Sequence, residues 1–444
     1  MGRYMAPRNK FKTSQNLGGH FKSGTKISVS LEASALAKHC AVLAQSGSGK
    51  SFMMGRLIEE LLIKTKASVV IFDPNSDYAR LNELNANVWT SAKCQPWFFP
   101  GENQASFLNS WNKLSCVIAS NHNLPNANRL AIDWGKLSQS EKANVLNIDP
   151  QRDADLYWCL FLSSQAATEA WDSEDDESYD FDFFREQSEK VVQYLLSGNG
   201  PKSIKDNPLA RMLRSGLSRQ MTLQYRAVVQ TLGEYEIWRS VGDGETDISD
   251  FIVNPDSAPR VLVIDLQSLG RDEEKNAIVN RVLDALWIKG RREQWEALRD
   301  YDKPDLRTPT FIVIDEAHNL VPERKVSPAS ESLCAKVVRI AAEGRKYGLF
   351  LIVVTQRPRK VDSNILAECD NLLLMRLTNQ SDMEYAQQAF GFVSKEMADA
   401  AAALTTGELL LAGAVRHGPA ILHVSPRRTR EGGRSIDDSY WGAP

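Results

Sequence analysis

The sequence predicts an α/β fold in which a largely parallel sheet is flanked by helices and interrupted by a mostly helical insertion. Apolar runs such as residues 68–73 are continuous rather than alternating, which indicates strands that are buried on both faces of a sheet. A glycine-rich loop, residues 44–51, lies between one such run and a helical pattern. A later apolar run, residues 310–315, leads into two consecutive acidic residues. Together these three observations predict a nucleoside triphosphatase core.

Apolar runs along the whole chain predict the strands of this sheet. They cover residues 40–44, 68–73, 260–265, 310–315, 349–355 and 371–376, with a final pair near 408–412 and 419–424. Helical patterns occupy residues 50–64, 273–296 and 331–345. Helices that separate strands in this way are typical of a mainly parallel sheet.

The glycine-rich loop reads Ala44-Gln45-Ser46-Gly47-Ser48-Gly49-Lys50-Ser51. Its glycines let successive backbone N–H groups curl around a phosphate before a helix begins. We expect Lys50 to reach the β- and γ-phosphates of ATP and Ser51 to hold Mg²⁺. Ala44 stands at the usual first glycine of the motif, and we interpret the extra methyl group as tolerated. The predicted nucleotide-binding residues are Ser46, Gly47, Ser48, Gly49, Lys50, Ser51 and Phe52.

The acidic residues Asp315 and Glu316 end an apolar strand. This arrangement places one carboxylate near the metal and a second where it can activate water. A second polar position is Gln356, at the end of the strand predicted for residues 349–355, where a side chain can sense the γ-phosphate or its attacking water. The predicted catalytic residues are Lys50, Glu316, Gln356, Arg345 and Arg357, and the predicted metal ligands are Ser51 and Asp315.

The number of residues between the two motifs predicts the domain organisation. Lys50 and Asp315 are 265 residues apart, which is more chain than a compact nucleotide-binding core needs. The predicted units are a basic N-terminal arm at 1–33, the first part of the core at 34–95, a mostly helical insertion at 96–257, the second part of the core at 258–425 and a C-terminal tail at 426–444. Helical patterns in the insertion cover 141–148, 153–170, 182–197, 208–214 and 222–240.

Composition limits the class of protein. The chain has 444 residues and 43% hydrophobic content, enough to fill a sizeable core. It contains no run of ~18 uncharged apolar residues and no apolar secretory segment at its N-terminus, which predicts a cytoplasmic protein without a membrane segment. Its six cysteines form no Cys-x-x-Cys pair, so neither a disulfide framework nor a zinc site is indicated.

The distribution of charge is more informative than the net charge of −3. Residues 1–31 contain basic residues and no acidic residue. We expect them either to contact a negatively charged partner, such as phosphates or an acidic protein, or to form a solvated terminus. Residues 169–186 are strongly acidic and indicate a solvated loop or a partner-docking surface. Candidate DNA contacts are Arg324 and Lys325, beyond the acidic strand, with a second set in the insertion at Arg211, Arg214, Arg219 and Arg226.

In the order and spacing of its motifs the sequence resembles the HerA-type ATPases of the HerA–FtsK superfamily of hexameric DNA translocases. The resemblance covers roughly residues 28–95 and 258–425. The matching segments are Lys38-His39, Gly47-Ser48-Gly49-Lys50-Ser51, Asp73-Pro74-Asn75-Ser76-Asp77-Tyr78, Ile314-Asp315-Glu316-Ala317-His318-Asn319, Gly344-Arg345-Lys346-Tyr347-Gly348 and Thr355-Gln356-Arg357-Pro358.

The resemblance implies a RecA-like P-loop core, a homo-hexameric ring, hydrolysis of ATP with Mg²⁺ at subunit interfaces, and movement along double-stranded DNA. It also implies a separately encoded nuclease or other effector as partner, in antiphage defence or DNA end processing. Two departures from the family concern its partners. Too few residues precede the loop for the usual N-terminal β-barrel, and Lys38 stands where the family has an arginine that is thought to reach a neighbouring subunit's nucleotide.

Two further functions stay open at this point. One is a nucleotide-dependent ring scaffold that assembles and activates a partner enzyme without needing translocation. The other is a secretion-coupling or chromosome-pumping ATPase, against which the absence of a predicted membrane segment argues.

Overall fold

The structure is a computed structural model of the chain. It describes residues 2–4, 27–29, 36–92, 94, 98, 102–171, 179–238, 246–254, 258–300, 302, 305, 307–415 and 418–433. Most of the predicted basic arm, the centre of the acidic run at 172–178 and the end of the predicted tail at 434–444 lie outside the described residues.

A single sheet of eleven strands organises the described part of the chain, in the order β2-β1-β11-β10-β9-β3-β8-β7-β4-β6-β5. The strands are β1 (Gly2–Tyr4), β2 (Ile27–Val29), β3 (His39–Leu43), β4 (Ser68–Asp73), β5 (Cys116–Ala119), β6 (Val261–Asp265), β7 (Thr310–Ile314), β8 (Leu349–Thr355), β9 (Cys369–Leu374), β10 (Glu408–Gly413) and β11 (Ala420–Val424). From β9 to β5 all neighbours are parallel, whereas β10, β11, β1 and β2 add an antiparallel extension. The predicted α/β fold with a largely parallel sheet is therefore confirmed.

Helices cover both faces of the sheet. They are α1 (Lys50–Lys64), α2 (Ala86–Thr90), α3 (Gln104–Trp111), α4 (Gln139–Val145), α5 (Ala154–Trp171), α6 (Phe181–Ser197), α7 (Lys202–Asp206), α8 (Pro208–Gly216), α9 (Arg219–Leu232), α10 (Asp250–Val253), α11 (Asp272–Arg299), α12 (Ala317–Leu320), α13 (Pro328–Glu343), α14 (Ser363–Ala367), α15 (Gln380–Ala389) and α16 (Lys395–Ala402). None of them combines the length with the apolar composition that crossing a membrane would need.

The core consists of two layers, one on each side of the sheet. Along β4, Val69 and Ile71 pack on the side of α1, while Val70 and Phe72 pack on the side of α11, α13 and the insertion helices. Successive residues of a strand point to opposite faces, so a strand covered on both sides must be apolar throughout. This is the reason why the central strands are continuous apolar runs.

The structure differs from the sequence prediction in the insertion and at both ends of the chain. The described part of residues 96–257 is mostly helical, but it also contributes β5, which pairs in parallel with β6 as the last strand of the sheet. At the N-terminus, β1 pairs antiparallel with both β2 and β11. At the C-terminus, residues 425–433, which we call the C-terminal strap, pack against α1 and bury Arg427 and Arg428.

Candidate nucleotide site

The glycine-rich loop joins the carboxyl end of β3 to the first turn of α1. Gly47 and Gly49 have φ angles of 74° and 90°, in the left-handed region that glycine adopts without strain. The helix begins at Lys50, so backbone N–H groups of its first turn face the loop and attract a phosphate. Ala44 is buried and its N–H donates to the Thr355 carbonyl at 3.2 Å, so its methyl group lies in the core.

The remaining predicted loop residues differ in exposure. Ser46 and Gly47 are exposed, Phe52 is half-buried, and Ser48 is fully buried. The Ser48 carbonyl accepts a 3.1 Å hydrogen bond from the N–H of Gly407, just before β10. The sequence does not indicate that this segment belongs to the site, and only the fold brings it beside the loop.

The ammonium group of Lys50 joins the loop to the acidic strand. Its Nζ lies 2.8 Å from Asp315 Oδ1 and also donates to Glu316 Oε1. Burial disfavours the charged lysine, but the charges of Asp315 and Glu316 outweigh it and raise the pKa of Lys50. Burial raises the pKa of Asp315, and the charge of Lys50 opposes part of this increase. The two motifs, 265 residues apart in the chain, therefore form one ion-paired cluster.

Glu316 has a left-handed backbone with φ 44°, which is unusual for a residue with a side chain. It follows β7 and precedes α12, and its N–H donates to Asp315 Oδ1 at 2.8 Å. Non-glycine residues are held in this conformation mainly where the surrounding structure requires it, and functional sites are frequent among such places. The conformation turns Glu316 back towards Lys50.

A hydroxyl and two carboxylates at this edge suit Mg²⁺, which prefers oxygen ligands and keeps several waters or phosphate oxygens. Ser51 Oγ donates to Asp77 Oδ2 at 2.5 Å, and Asp315 Oδ2 is buried without a hydrogen-bond partner among the described residues. No three His, Cys, Asp or Glu side chains of the described chain converge as a complete metal cage. The predicted ligands Ser51 and Asp315 thus fit an ion shared with phosphate oxygens.

Asp73 and Asp77 were not predicted as site residues in their own right. Asp73 accepts hydrogen bonds from the backbone N–H groups of Asn75, Asp77 and Tyr78, at 3.3, 3.0 and 2.7 Å, and so shapes the turn that presents Asp77. Burial raises the pKa of Asp73 to about 8. Burial also raises the pKa of Asp77, against the hydrogen bond from Ser51. The available sequence signal was that Asp73 ends a buried strand and Asp77 follows it by four residues.

The end of β8 forms the next part of this edge. His318 Nδ1 lies 3.1 Å from the Thr355 hydroxyl and 3.4 Å from Glu316 Oε2. Burial, together with the charge of Arg357, lowers the pKa of His318 to about 4, so the imidazole is neutral at physiological pH. The half-buried Gln356 follows Thr355, and Arg357 is exposed beside it. Both predicted residues therefore lie at the same edge of the sheet as the loop.

Arg345 lies at the amino ends of the parallel strands, opposite the carboxyl ends where the phosphate loop lies. It precedes β8, and its guanidinium is 2.9 Å from Asp370 and donates to the Glu368 carbonyl. Lys38 pairs with the same Asp370 at 3.8 Å. The seven residues of β8 separate this edge from the loop, which corresponds to about 23 Å at ~3.3 Å per residue. Arg345 therefore does not reach the phosphate loop of its own chain.

The candidate DNA contacts are only partly free. Arg324 is exposed, whereas Lys325 donates to the buried carboxylate of Asp362. In the insertion, Arg226 pairs with Glu189 at 2.7 Å, and the guanidinium of Arg214 stacks over Tyr194. Arg211 donates to a backbone carbonyl, and Arg219 is exposed in the first turn of α9.

Comparison with known proteins gives consistent matches. Residues 17–286 match the family model of the helicase HerA central domain, and residues 247–381 match that of the zonular occludens toxin (Zot). A probable helicase of Methanocaldococcus jannaschii, MJ1565, is 24% identical over 94% of this chain and 68% of its own length. The DNA double-strand break repair helicase HerA of Sulfurisphaera tokodaii is 26% identical over 90% of this chain and 67% of its own.

Among solved structures, VirB4 of Thermoanaerobacter pseudethanolicus superposes with a TM-score of 0.51 at 17% identity, over 90% of this chain and 94% of that one. At this level of identity the similarity concerns the fold alone. It agrees with the predicted P-loop core.

Proposed function

The chain belongs to the helicase HerA central-domain family and is a P-loop ATPase of the HerA–FtsK superfamily, and we propose that it works as an ATP-driven ring motor on double-stranded DNA. The observation that carries the proposal is the cluster in which Lys50 contacts both Asp315 and Glu316 next to Ser51. The cluster brings together a cation that can bind phosphates, oxygen atoms that can bind a metal ion and a carboxylate that can activate water.

In the proposed reaction the γ-phosphate takes the place of the carboxylates around Lys50. Asp315 and Ser51 would hold Mg²⁺, which would supply positive charge for the phosphate oxygens. Released from Lys50, Glu316 accepts a proton from the attacking water, and ATP is hydrolysed to ADP and phosphate. Gln356 orients the water or senses the γ-phosphate, and Arg357 adds positive charge at the rim of the site.

The position of Arg345 supports a role between subunits. Because it lies across the sheet from its own loop, we propose that it faces the nucleotide of a neighbouring subunit in a homo-hexamer. Lys38 shares its partner Asp370 and its edge of the sheet. A lysine there supplies charge without the planar fork of an arginine, so Arg345 would make the stronger contact with a phosphate.

DNA and an effector complete the proposal. The relative from Sulfurisphaera tokodaii is named for DNA double-strand break repair, and we extend action on DNA to this chain. Arg324 is an exposed cation eight residues beyond Glu316 in the sequence, and it is proposed to contact DNA phosphates. The motor would serve a separately encoded nuclease or other effector in the cytoplasm, in antiphage defence or DNA end processing.

The variants Lys50→Ala and Glu316→Gln test the assignment. We expect Lys50→Ala to lose tight ATP binding, and Glu316→Gln to bind ATP with at least a hundredfold lower turnover, because it keeps its shape but loses the base. Glu331→Gln on α13, whose side chain is 48% exposed, is the matched control and should keep full activity. ATP binding is measured by calorimetry and turnover by phosphate release.

The same Glu316→Gln protein tests assembly and the need for DNA. Mixed into wild type, it should inhibit more than its share of subunits if sites lie between neighbours. Full turnover by Glu316→Gln would contradict the catalytic assignment. If duplex DNA changes neither ATPase rate nor assembly, while ATP alone activates a partner enzyme, the ring-scaffold function replaces the motor.

A further inference from the structure

The buried guanidinium of Arg427 touches the backbone of two residues of the nucleotide site. Its Nη1 donates to the carbonyl oxygens of Ser51 and Asp77, each at 3.4 Å. Its Nη2 donates to the Arg430 carbonyl at 2.7 Å, and its Nε donates to Thr429 Oγ1 at 3.1 Å. Ser51 and Asp77 are also the residues whose side chains meet in a 2.5 Å hydrogen bond. Arg427 therefore connects the backbones of Ser51 and Asp77, the same two residues whose side chains contact each other in the nucleotide site.

We propose that Arg427 is a positioning residue of the nucleotide site, which fixes the distance between the first turn of α1 and the turn after β4. It would thereby hold the Ser51 hydroxyl and the Asp77 carboxylate where Mg²⁺ and the phosphates of ATP are bound. The inference rests on the proposed function, because it takes Ser51 as the metal ligand.

The choice of arginine agrees with this role. All four hydrogen-bond acceptors of Arg427 are uncharged oxygens, and among the described residues no carboxylate lies within ion-pairing distance of its guanidinium. A buried cation that serves stability alone is normally paired with an acid. The guanidinium uses Nη1 for the Ser51 and Asp77 carbonyls while Nη2 and Nε hold the strap, and a lysine ammonium has only three donors, at a single nitrogen, for these four acceptors.

Helix α1 leaves room for this side chain. At Gly55 the helix has no Cβ, and one placed there would lie 2.3 Å from Arg427 Nε and 2.5 Å from its Cδ.

The C-terminal strap is also held by contacts that do not involve Arg427. Glu59 Oε1 accepts hydrogen bonds from the N–H groups of Arg428 and Thr429 at 2.8 and 2.7 Å. The strap can therefore stay attached when Arg427 is replaced, which makes the proposal testable.

Arg428→Lys is the matched control for Arg427→Lys. Arg428 is equally buried on the same strap, but its guanidinium contacts Glu102 and the rings of Trp89 and Phe98, away from the nucleotide. In Arg427→Lys we expect the Mg²⁺ concentration for half-maximal ATPase rate to rise about tenfold, as for the loss of one hydrogen bond from a charged donor. In Arg428→Lys it should stay within twofold, although both variants lose thermal stability.

Hydrogen exchange without nucleotide separates failure of this inference from failure of the proposed function. Amides in peptides covering 50–55 and 76–80 should exchange at least threefold faster in Arg427→Lys, and at the wild-type rate in Arg428→Lys. This result would support positioning even if wild type hydrolysed no ATP. Equal changes in the two variants, or an unchanged Mg²⁺ requirement and unchanged exchange in Arg427→Lys, would show that the residue only stabilises the fold.

Discussion

Replacing Gly55 by alanine should destabilise the protein, although the position lies inside a helix. Alanine in a helix interior is ordinarily more favourable than glycine by ~1 kcal/mol. The helix α1 runs through Lys50–Lys64 and Gly55 is buried within it. Propensity alone therefore predicts a gain in stability from Gly55→Ala.

The close approach of Arg427 reverses the sign. The added Cβ would lie 2.3 Å from Arg427 Nε, 2.5 Å from Cδ and 2.6 Å from Cζ, whereas ordinary contacts begin at 3.4 Å. The guanidinium must therefore move by about 1 Å, which breaks its two 3.4 Å hydrogen bonds to Ser51 and Asp77. Hydrogen bonds from charged groups contribute about 1.5–3 kcal/mol each, so the net loss should be about 2–5 kcal/mol after the helix gain of ~1 kcal/mol is subtracted.

Urea unfolding of Gly55→Ala and wild type, followed by tryptophan fluorescence, measures this difference. Gly216→Ala is the control, since α8 ends at Gly216 and, apart from its chain neighbours and the backbone of its own helix, no described atom lies within 4 Å of a Cβ there. We expect the control to change stability by less than ~1 kcal/mol. A Gly55→Ala protein as stable as wild type or more stable would refute the reasoning, because Arg427 would then have other equally good contacts.

Two further predictions concern DNA and pH. Binding of duplex DNA should weaken steeply with salt, and Arg324→Ala should lower the magnitude of the slope of log K against log salt by about one. Lys325→Ala should change this slope less, because Lys325 is paired with Asp362. Equal slopes for the two variants in a salt titration would contradict this prediction. His39 Nδ1 accepts a hydrogen bond from the Leu351 N–H at 2.9 Å, and burial lowers the pKa of His39 to about 4. The unfolded chain therefore binds more protons than the folded protein between pH 6.5 and 4. The free energy of unfolding of wild type should fall by about 3 kcal/mol through this pH range, relative to that of His39→Asn. If urea unfolding gave parallel curves of stability against pH for the two proteins, the prediction for His39 would be wrong.

The central strands and the main site residues were accessible to sequence reasoning. The strands at Ser68–Asp73 and Leu349–Thr355 begin and end where the apolar runs predicted them. Their burial on both faces requires apolar residues at every position, so the signal is strong and local. Lys50 and Asp315 each stand at a fixed place in a strand–loop pattern, and the structure brings them to 2.8 Å.

Features that depend on distant contacts were not predictable in this way. β5 has only four residues, Cys116–Ala119, and lies within a helical stretch. Arg427 lies 376 residues from Ser51 in the chain, and nothing in its own neighbourhood indicates what it contacts. The position of Arg345 was deducible, because Arg345 precedes a strand that Gln356 follows, and the two ends of a strand lie at opposite edges of the sheet.

The charges of the site favour the proposed use of a metal ion in addition to the lysine. Three carboxylates, Asp77, Asp315 and Glu316, lie near two cations, Lys50 and Arg427, before any nucleotide enters. In this state Lys50 is already paired with acids, and Arg427 faces backbone oxygens. Phosphates that enter alone would add negative charge beside these three carboxylates, and the further cation at the rim, Arg357, is exposed to solvent. Mg²⁺ that enters with the nucleotide would offset this charge, and Asp315 Oδ2, which is buried without a hydrogen-bond partner among the described residues, would be available to it.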